Sequence, residues 1–360
     1  MTRALPDPDL GSGDSVSHQL IRRISGEGPI PLAEYMAAAN SAYYASRDPL
    51  GQDGDFITAP EISQMFGEII GVWCADLMLR SASGCHFVEL GPGRGTLAAD
   101  AQRVMRQFGC HTPLHFVETS PILRAKQAGL HPDAVWHQDI AALPDDAPLL
   151  IIANEFFDAL PVAQYVSEDG HWWAQMVTRN RARFALVRAD APCDELVPIR
   201  AADVDPGTIF ETSPVAAELT EVLTARLAAQ GGAMLVIDYG YDAPGIGSTL
   251  QAVQRHLPVH PLDHPGDVDL TAHVDFGSIR RIAARRLLNV HGPVGQGQWL
   301  TQLGIGQRAK ALAKASPDNA DSVAAALRRL CDVEEMGRLF QVLSVTSRNW
   351  PDPEGFSYRS

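Results

Sequence analysis

The chain has 360 residues, 46% of them hydrophobic and 20% charged, an ordinary composition for a folded protein with a substantial core. A formal charge of −14 argues against nonspecific attraction to nucleic acid or an anionic membrane and favours basic or cationic partners. No apolar stretch reaches membrane-spanning length, and the five cysteines (Cys74, Cys85, Cys110, Cys193, Cys331) form neither a C-x-x-C pair nor a His–Cys cluster. Neither a bound metal nor a disulfide framework is therefore expected, and a reducing compartment is.

Residues 1–15, rich in Pro, Asp, Gly and Ser, read as a disordered lead-in without a signal or transit peptide, so a cytoplasmic protein is expected. Residues 16–80 form a helical region. Its patterns lie at Val16–Ser25, Pro31–Ala39 and Ile62–Leu79, with Ser63 or Pro60 opening the third helix and a polar loop from Tyr43 to Pro60. From 81 to 161 the signals alternate, with strands at 86–90, 114–118, 135–137 and 149–153 and helices at 96–108 and 121–128. Apolar strands separated by helices imply an α/β fold with a parallel sheet buried on both faces.

From 162 to 230 the texture changes. Val162–Ser167, His171–Thr178 and Ala182–Val187 read as short antiparallel strands joined by Glu-Asp-Gly and Arg-Asn-Arg turns, an α+β insertion ending in a helix at 214–229. Arg179, Arg181 and Arg183 alternate around the second turn, as a charge-protected edge or a partner-docking patch would. Phe56, Trp172 and Trp173 are candidates to line a groove or to fill a core. The core resumes at 231–360, with a strand at 233–237 and a second insertion at about 242–277. Helices near 278–288, 298–313 and 321–337 and a last strand at 339–346 complete it.

The run Glu89-Leu-Gly-Pro-Gly-Arg-Gly-Thr96 ends a strand and opens a helix. Its glycines, Gly91, Gly93 and Gly95, make G-x-G-x-G, whereas the dinucleotide fingerprint needs a glycine where this chain has Thr96. An acidic residue ending the first strand before such a turn is the pattern of S-adenosylmethionine enzymes. Glu89, Gly91, Gly93, Gly95 and Thr96 are thus candidate cofactor contacts. Glu118 ends the second strand, where a carboxylate can accept hydrogen bonds from both ribose hydroxyls of an adenosine. Asp139 follows the third strand, where a side chain can receive the adenine amine or simply cap a turn.

The fourth strand, Leu149–Ala153, delivers Asn154, Glu155 and Asp158 to its carboxyl end. Such a cluster is costly to bury without a cation, and a guanidinium is the cation whose planar fork fits paired carboxylates. Carboxylates can align a guanidinium and localise its charge on one nitrogen, freeing the other to attack a methyl group. Asp238-Tyr239-Gly240 ends the fifth strand at the same rim. His273 and Asp275, two apart, would share a face of an extended chain and could take the proton that methyl transfer releases, or form a structural pair.

Six motifs occur in one order: Asp55-Phe-Ile-Thr-Ala-Pro-Glu-Ile-Ser-Gln-Met-Phe-Gly-Glu68, Glu89–Thr96, Asn154-Glu-Phe-Phe-Asp-Ala-Leu-Pro161, Asp238-Tyr-Gly240, Leu270-Thr-Ala-His-Val-Asp-Phe276 and Met336-Gly-Arg-Leu-Phe340. With them the chain, from about residue 18 to 347, resembles the MidA family. These are S-adenosylmethionine-dependent methyltransferases related to the mitochondrial complex I assembly factor. The resemblance implies a class I, Rossmann-like sheet with an N-terminal helical extension and an inserted substrate-facing region. It implies that Gly91, Gly93, Gly95 and Glu118 hold the cofactor and that Asn154, Glu155 and Asp158 serve acceptor and catalysis. Phe56–Ser63 would close over the site, which makes Thr58 and Pro60, like Asn154, further candidate cofactor contacts. The implied activity is protein arginine methylation, on a 49 kDa-type complex I subunit or its bacterial equivalent. Two other functions stay open on the sequence: a cofactor-binding assembly chaperone without essential catalysis, and methylation of a small molecule or RNA. The oligomeric state is also open, a homodimer among the options.

Overall fold

The computed structural model describes residues 15–48, 58–181, 183–243, 245–254 and 257–356. Phe56, Ala182 and the lead-in up to residue 14 lie outside that range. The N-terminal part holds α1 (Val16–Glu27), β1 (Ile30–Pro31), α2 (Leu32–Ser46), α3 (Ala59–Ile62) and α4 (Gln64–Ser81). Ser63, not Pro60, opens α4, its hydroxyl accepting from the Met65 N–H.

Next come β2 (His86–Leu90), α5 (Thr96–Gln107), β3 (Leu114–Val117), α6 (Pro121–Leu130), β4 (Val135–His137) and β5 (Leu149–Asn154). An antiparallel set follows: β6 (Ala163–Glu168), β7 (His171–Asn180), β8 (Arg183–Pro192) and β9 (Ile209–Thr212), then α7 (Pro214–Gln230). Beyond lie β10 (Gly232–Tyr241), β11 (Gly245–Ile246), β12 (Gln251–Gln254), β13 (Leu257–Val259), β14 (Asp269–Thr271), β15 (Val274–Asp275) and α8 (Phe276–Arg285). The chain finishes with β16 (Asn289–Gly295), α9 (Gln296–Gln302), α10 (Ile305–Ala315), α11 (Ala320–Cys331), α12 (Met336–Leu339) and β17 (Phe340–Thr346).

The main sheet runs β16-β17-β10-β5-β2-β3-β4, with β15 beside the end of β10. From β10 to β4 all pairings are parallel, while β17 lies antiparallel between β10 and β16. Every residue of β5 is buried, as expected for a strand with helices on both faces. Its residues alternate between two cores. Leu150 and Ile152 join the residues of α4, α5 and α9, and Ile151 and Ala153 join those of α7 and α8. On the first face α4 and α5 touch backbone to backbone, for a Cβ on Gly71 would fall 2.5 Å from the Ala101 carbonyl oxygen.

A second sheet runs β1-β7-β6-β9-β11, with β8 paired to β7, and a third pairs β12 with β13 and β14. Leu20, Leu32, Tyr35, Met36 and Ala39 of the first two helices share one core with Val162, Val177, Ala252 and Leu270. The N-terminal helices and both insertions therefore pack as one body, whereas α4 belongs to the main sheet. Among the described residues no helix is long and apolar enough to cross a membrane.

One element was not expected and two expected helices differ. The strand β16 was not anticipated, because it contains Gly292 and Pro293, yet it is the edge strand, where a missing N–H is tolerated. The helix expected at 298–313 breaks at Gly304, which has φ +92°, into α9 and α10. The helix expected at 321–337 ends at Cys331.

Candidate active site

Four adjacent strands end at one rim. Leu90 pairs with Val117 on one side and Ala153 on the other, and Asn154 pairs with Ile237. The turn after β2 begins with the Gly91 N–H donating to the Val117 carbonyl at 3.0 Å. Gly91 has φ +60°, and a Cβ there would meet the Phe156 ring at 2.8 Å; Gly95 has φ +82°, with the His131 ring 3.0 Å from its would-be Cβ. Backbone conformation and space both demand glycine at these two places.

Gln127 of α6 and His131, which caps its end, were missed in the sequence reading, and they hold this turn. Gln127, fully buried, donates to the Gly93 carbonyl at 2.6 Å and to Glu118 Oε2 at 3.1 Å, and accepts from Trp136 Nε1 at 2.8 Å. His131, one helical turn further, bonds the Gly95 carbonyl at 2.8 Å. Their spacing of four on an amphipathic helix was the available signal. Glu118 Oε1 accepts from the Ser120 N–H at 2.7 Å, and the Thr119 backbone also bonds this carboxylate, which holds it fixed at the strand end. Asp139 stands on the same edge, but it is exposed and its Oδ1 caps the turn Ile140–Ala142, accepting from the Ala141 and Ala142 N–H groups at 2.8 and 3.1 Å. Glu89 is buried, with Oε2 lacking any hydrogen-bond partner, and burial pushes its carboxyl up to about 8.

The acidic turn after β5 is built around Asp238. One oxygen of this fully buried carboxylate accepts from the backbone N–H groups of Phe156, Phe157 and Asp158 at 3.2, 3.0 and 3.2 Å; the other accepts from the Tyr239 N–H at 3.0 Å. Burial and the nearby Asp158 and Glu155 push its pKa up, while the amides pull the other way. The turn this creates puts Glu155 at φ +49°, a left-handed conformation that costs energy for a non-glycine residue and marks functional sites. Burial raises Glu155 to about 7, and it raises Asp158, which hydrogen-bonds to the Tyr239 side chain. Asn154 Nδ2 donates to Glu155 Oε1 at 3.3 Å, and its buried Oδ1 has no partner.

The segment Thr58–Ser63 reaches over this rim. The Ala59 N–H, between Thr58 and Pro60, donates to Glu155 Oε1 at 2.9 Å. Glu61 Oε1 accepts from the Thr96 hydroxyl at 2.7 Å, and Oε2 faces Arg94 Nη1 at 3.4 Å.

Other sequence candidates fall elsewhere. His273 and Asp275 do not pair: Asp275 caps α8, accepting from the Ser278 N–H at 2.8 Å, and faces Arg281. The His273 ring instead lies edge-on to Tyr239 at 5.5 Å; it sits in the break between β14 and β15, and Asp275 ends β15 where α8 begins. Trp172 is fully buried in the insertion core, and Trp173 carries Arg188 on its face at 4.2 Å, so neither lines a groove at the rim. Arg179, Arg181 and Arg183 are exposed at the β7–β8 turn.

Unpartnered buried oxygens on Glu89 and Asn154, the fixed Glu118 carboxylate and bare backbone at Gly91–Gly95 suit a ligand that brings an ammonium group and ribose hydroxyls. S-Adenosylmethionine has both. A parallel sheet closed by one antiparallel strand, with this glycine turn and these strand-end acids, defines a class I S-adenosylmethionine-dependent methyltransferase. Residues 69–294 match the family described as putative S-adenosyl-L-methionine-dependent methyltransferases, and the chain belongs to it.

The chain is 35% identical to the protein arginine methyltransferase NDUFAF7 homolog of Drosophila melanogaster, over 92% of this chain and 84% of the relative. It is 33% identical to protein arginine methyltransferase NDUFAF7 of Xenopus tropicalis, over 97% and 91%. A solved structure of a likely methyl transferase from Burkholderia thailandensis, bound to S-adenosyl-homocysteine, superposes with a TM-score of 0.84 at 27% identity, covering 99% of this chain and 98% of that one. The cofactor of this enzyme is S-adenosylmethionine.

Proposed function

We propose that the enzyme methylates an arginine side chain of a partner protein. The observation that carries this reading is the acidic turn. Glu155, Asp158 and Asp238 form no ion pair among the described residues, and burial raises all three above the usual carboxylate range. A guanidinium, always charged and able to bond two carboxylates at once, satisfies them. The names of the similar proteins support the same choice.

Bound S-adenosylmethionine supplies a methyl group activated by a sulfonium. The chain's residues do the rest. Glu155 and Asp158 hold the guanidinium in plane, localise its charge on the nitrogen bonded to Asp158 and leave the nitrogen bonded to Glu155 to attack. As the new N–C bond forms and the S–C bond breaks, the attacking nitrogen loses a proton. Glu155, with a pKa of about 7, is matched to accept it and pass it to neutral solution. Thr58–Ser63, through Ala59 and Glu61, keeps water from this exchange.

We infer further that the acceptor is a 49 kDa-type subunit of a respiratory NADH dehydrogenase, as the family resemblance implies, methylated in the cytoplasm before assembly. The test is transfer of labelled methyl into proteins of a lysate lacking this enzyme, with identification of the modified residue. Label on arginine of one dominant protein supports the proposal; label on another residue type overturns it.

A further inference from the structure

On the acceptor side of the rim stands a residue that no motif singles out. The helix α2 is pinned to the acidic turn by Asn40, which is buried. Its Nδ2 donates to the carbonyls of Ala159, next to Asp158, and Leu270, at 3.0 and 2.7 Å, and its Oδ1 accepts from the Leu270 N–H at 3.1 Å. Tyr44 lies four positions on and therefore projects from the same face of the helix. Its hydroxyl is hydrogen-bonded to Asp269, and Asp158 also acts on it; burial and these carboxylates keep the phenol neutral. From β10, the Tyr239 hydroxyl bonds both Asp158 and Thr271, and the His273 ring packs edge-on behind it. Two phenols, one from the N-terminal helices and one from the main sheet, thus flank the Asp158 side of the turn, Tyr239 bonded to Asp158 and Tyr44 held by Asp269 within its electrostatic reach.

We propose that Tyr44 is a wall of the acceptor pocket and contacts the arginine guanidinium that Asp158 and Glu155 hold in plane. A planar cation fixed at its edge by carboxylates leaves its two faces to be covered, and an aromatic face attracts a cation while excluding water. Asn40 and Asp269 set the pose of Tyr44, Asn40 through the helix and Asp269 through the hydroxyl. This inference rests on the arginine reading above, and it makes the N-terminal helices part of substrate recognition.

The full chain and its Tyr44→Phe, Tyr44→Trp and Tyr44→Leu variants are compared by labelled-methyl transfer into graded amounts of lysate lacking the enzyme. Calorimetry gives S-adenosylmethionine affinity, and melting gives fold. Loss of the aromatic face in Tyr44→Leu is expected to raise half-saturation for lysate protein by roughly 10-fold or more, with cofactor affinity within about 2-fold. Tyr44→Phe and Tyr44→Trp, which keep an aromatic face, should stay within about 3-fold of the parent.

Wild-type half-saturation in Tyr44→Leu overturns the wall, and so does a matching loss of cofactor affinity. If Tyr44→Leu does not fold, the aromatic variants decide. Lowered melting and lowered transfer in Tyr44→Phe mean that only the hydroxyl brace to Asp269 matters, which overturns the contact. Label on arginine with unaffected variants removes the wall and leaves the arginine reading standing. Label on another residue removes that reading, whatever the variants do.

Discussion

The backbone N–H of Ala59 donates to Oε1 of Glu155 at 2.9 Å, joining residues 96 positions apart. The same short helix carries Glu61 onto Thr96 and Arg94 of the glycine turn. One four-residue element therefore touches both the residue proposed to take the proton and the turn that cradles the cofactor. Closing over one is closing over the other.

Glu155→Gln keeps the shape and can still accept from the Ala59 N–H, but it removes the charge. Methyl transfer should fall by at least about 100-fold, the scale for losing one preorganised electrostatic group, while S-adenosylmethionine affinity changes by less than about 3-fold. Labelled transfer and calorimetry on the same preparation check this. Unchanged transfer would remove Glu155 from the chemistry.

The pH dependence follows from the same residue. Burial puts Glu155 at about 7, so transfer should rise with pH through that value and level off above it, as the carboxylate that receives the guanidinium ionises. Stability moves the other way. A carboxyl raised above its unfolded value of about 4.3 binds its proton more tightly when folded; its contribution is complete below that value and is lost as pH rises through about 7. The ligand-free parent should thus lose more melting temperature between pH 5 and pH 8 than Glu155→Gln does. Equal losses would place the titration elsewhere.

Gln127→Leu would strand the Glu118 carboxylate, the Gly93 carbonyl and Trp136 Nε1. Each unsatisfied buried group costs about 1–3 kcal/mol, so cofactor affinity should drop roughly 10-fold or more. Titration by calorimetry measures it. Affinity equal to the parent would show that Gln127 braces the fold without positioning the ribose site.

Gly71→Ala tests the helix contact beneath the sheet. The added methyl would sit 2.5 Å from the Ala101 carbonyl oxygen, between two backbones that must move apart. Overpacking of this kind costs about 1–3 kcal/mol, read as a lower denaturation midpoint, with transfer by the folded fraction intact. A midpoint at the parent value would mean that α4 and α5 separate freely.

Much of this site was readable because it is local. The glycine turn, Glu118, and the Asn154–Asp158 run each follow an apolar strand directly, so parallel pairing alone brings them to one rim. Asp238 was legible as a rim residue, but the three amides it gathers come from residues about 80 positions earlier, and no spacing reveals that. His273 and Asp275 misled because alternation assumes one continuous strand, whereas His273 sits in the break between two short strands and Asp275 caps the helix that follows. Gln127 and His131 were hidden on the inner face of a helix whose outer face is polar. The Gly–Pro pair concealed β16, since prolines argue against strands except at an edge, and edges are a property of the finished sheet.

The shared core of the first two helices and the insertions also dictates when each part of the molecule can form. Asn40 leaves the ribosome 230 residues ahead of Leu270, the partner that fixes it. At roughly 5–20 residues per second, the apolar faces of α1 and α2 wait on the order of ten to fifty seconds for their counterparts. During that interval the methyltransferase strands up to β5 are already available to pair among themselves. The helices written first in the chain are thus installed late, and so is the closure of the main sheet, whose two cores wait for residues beyond 290.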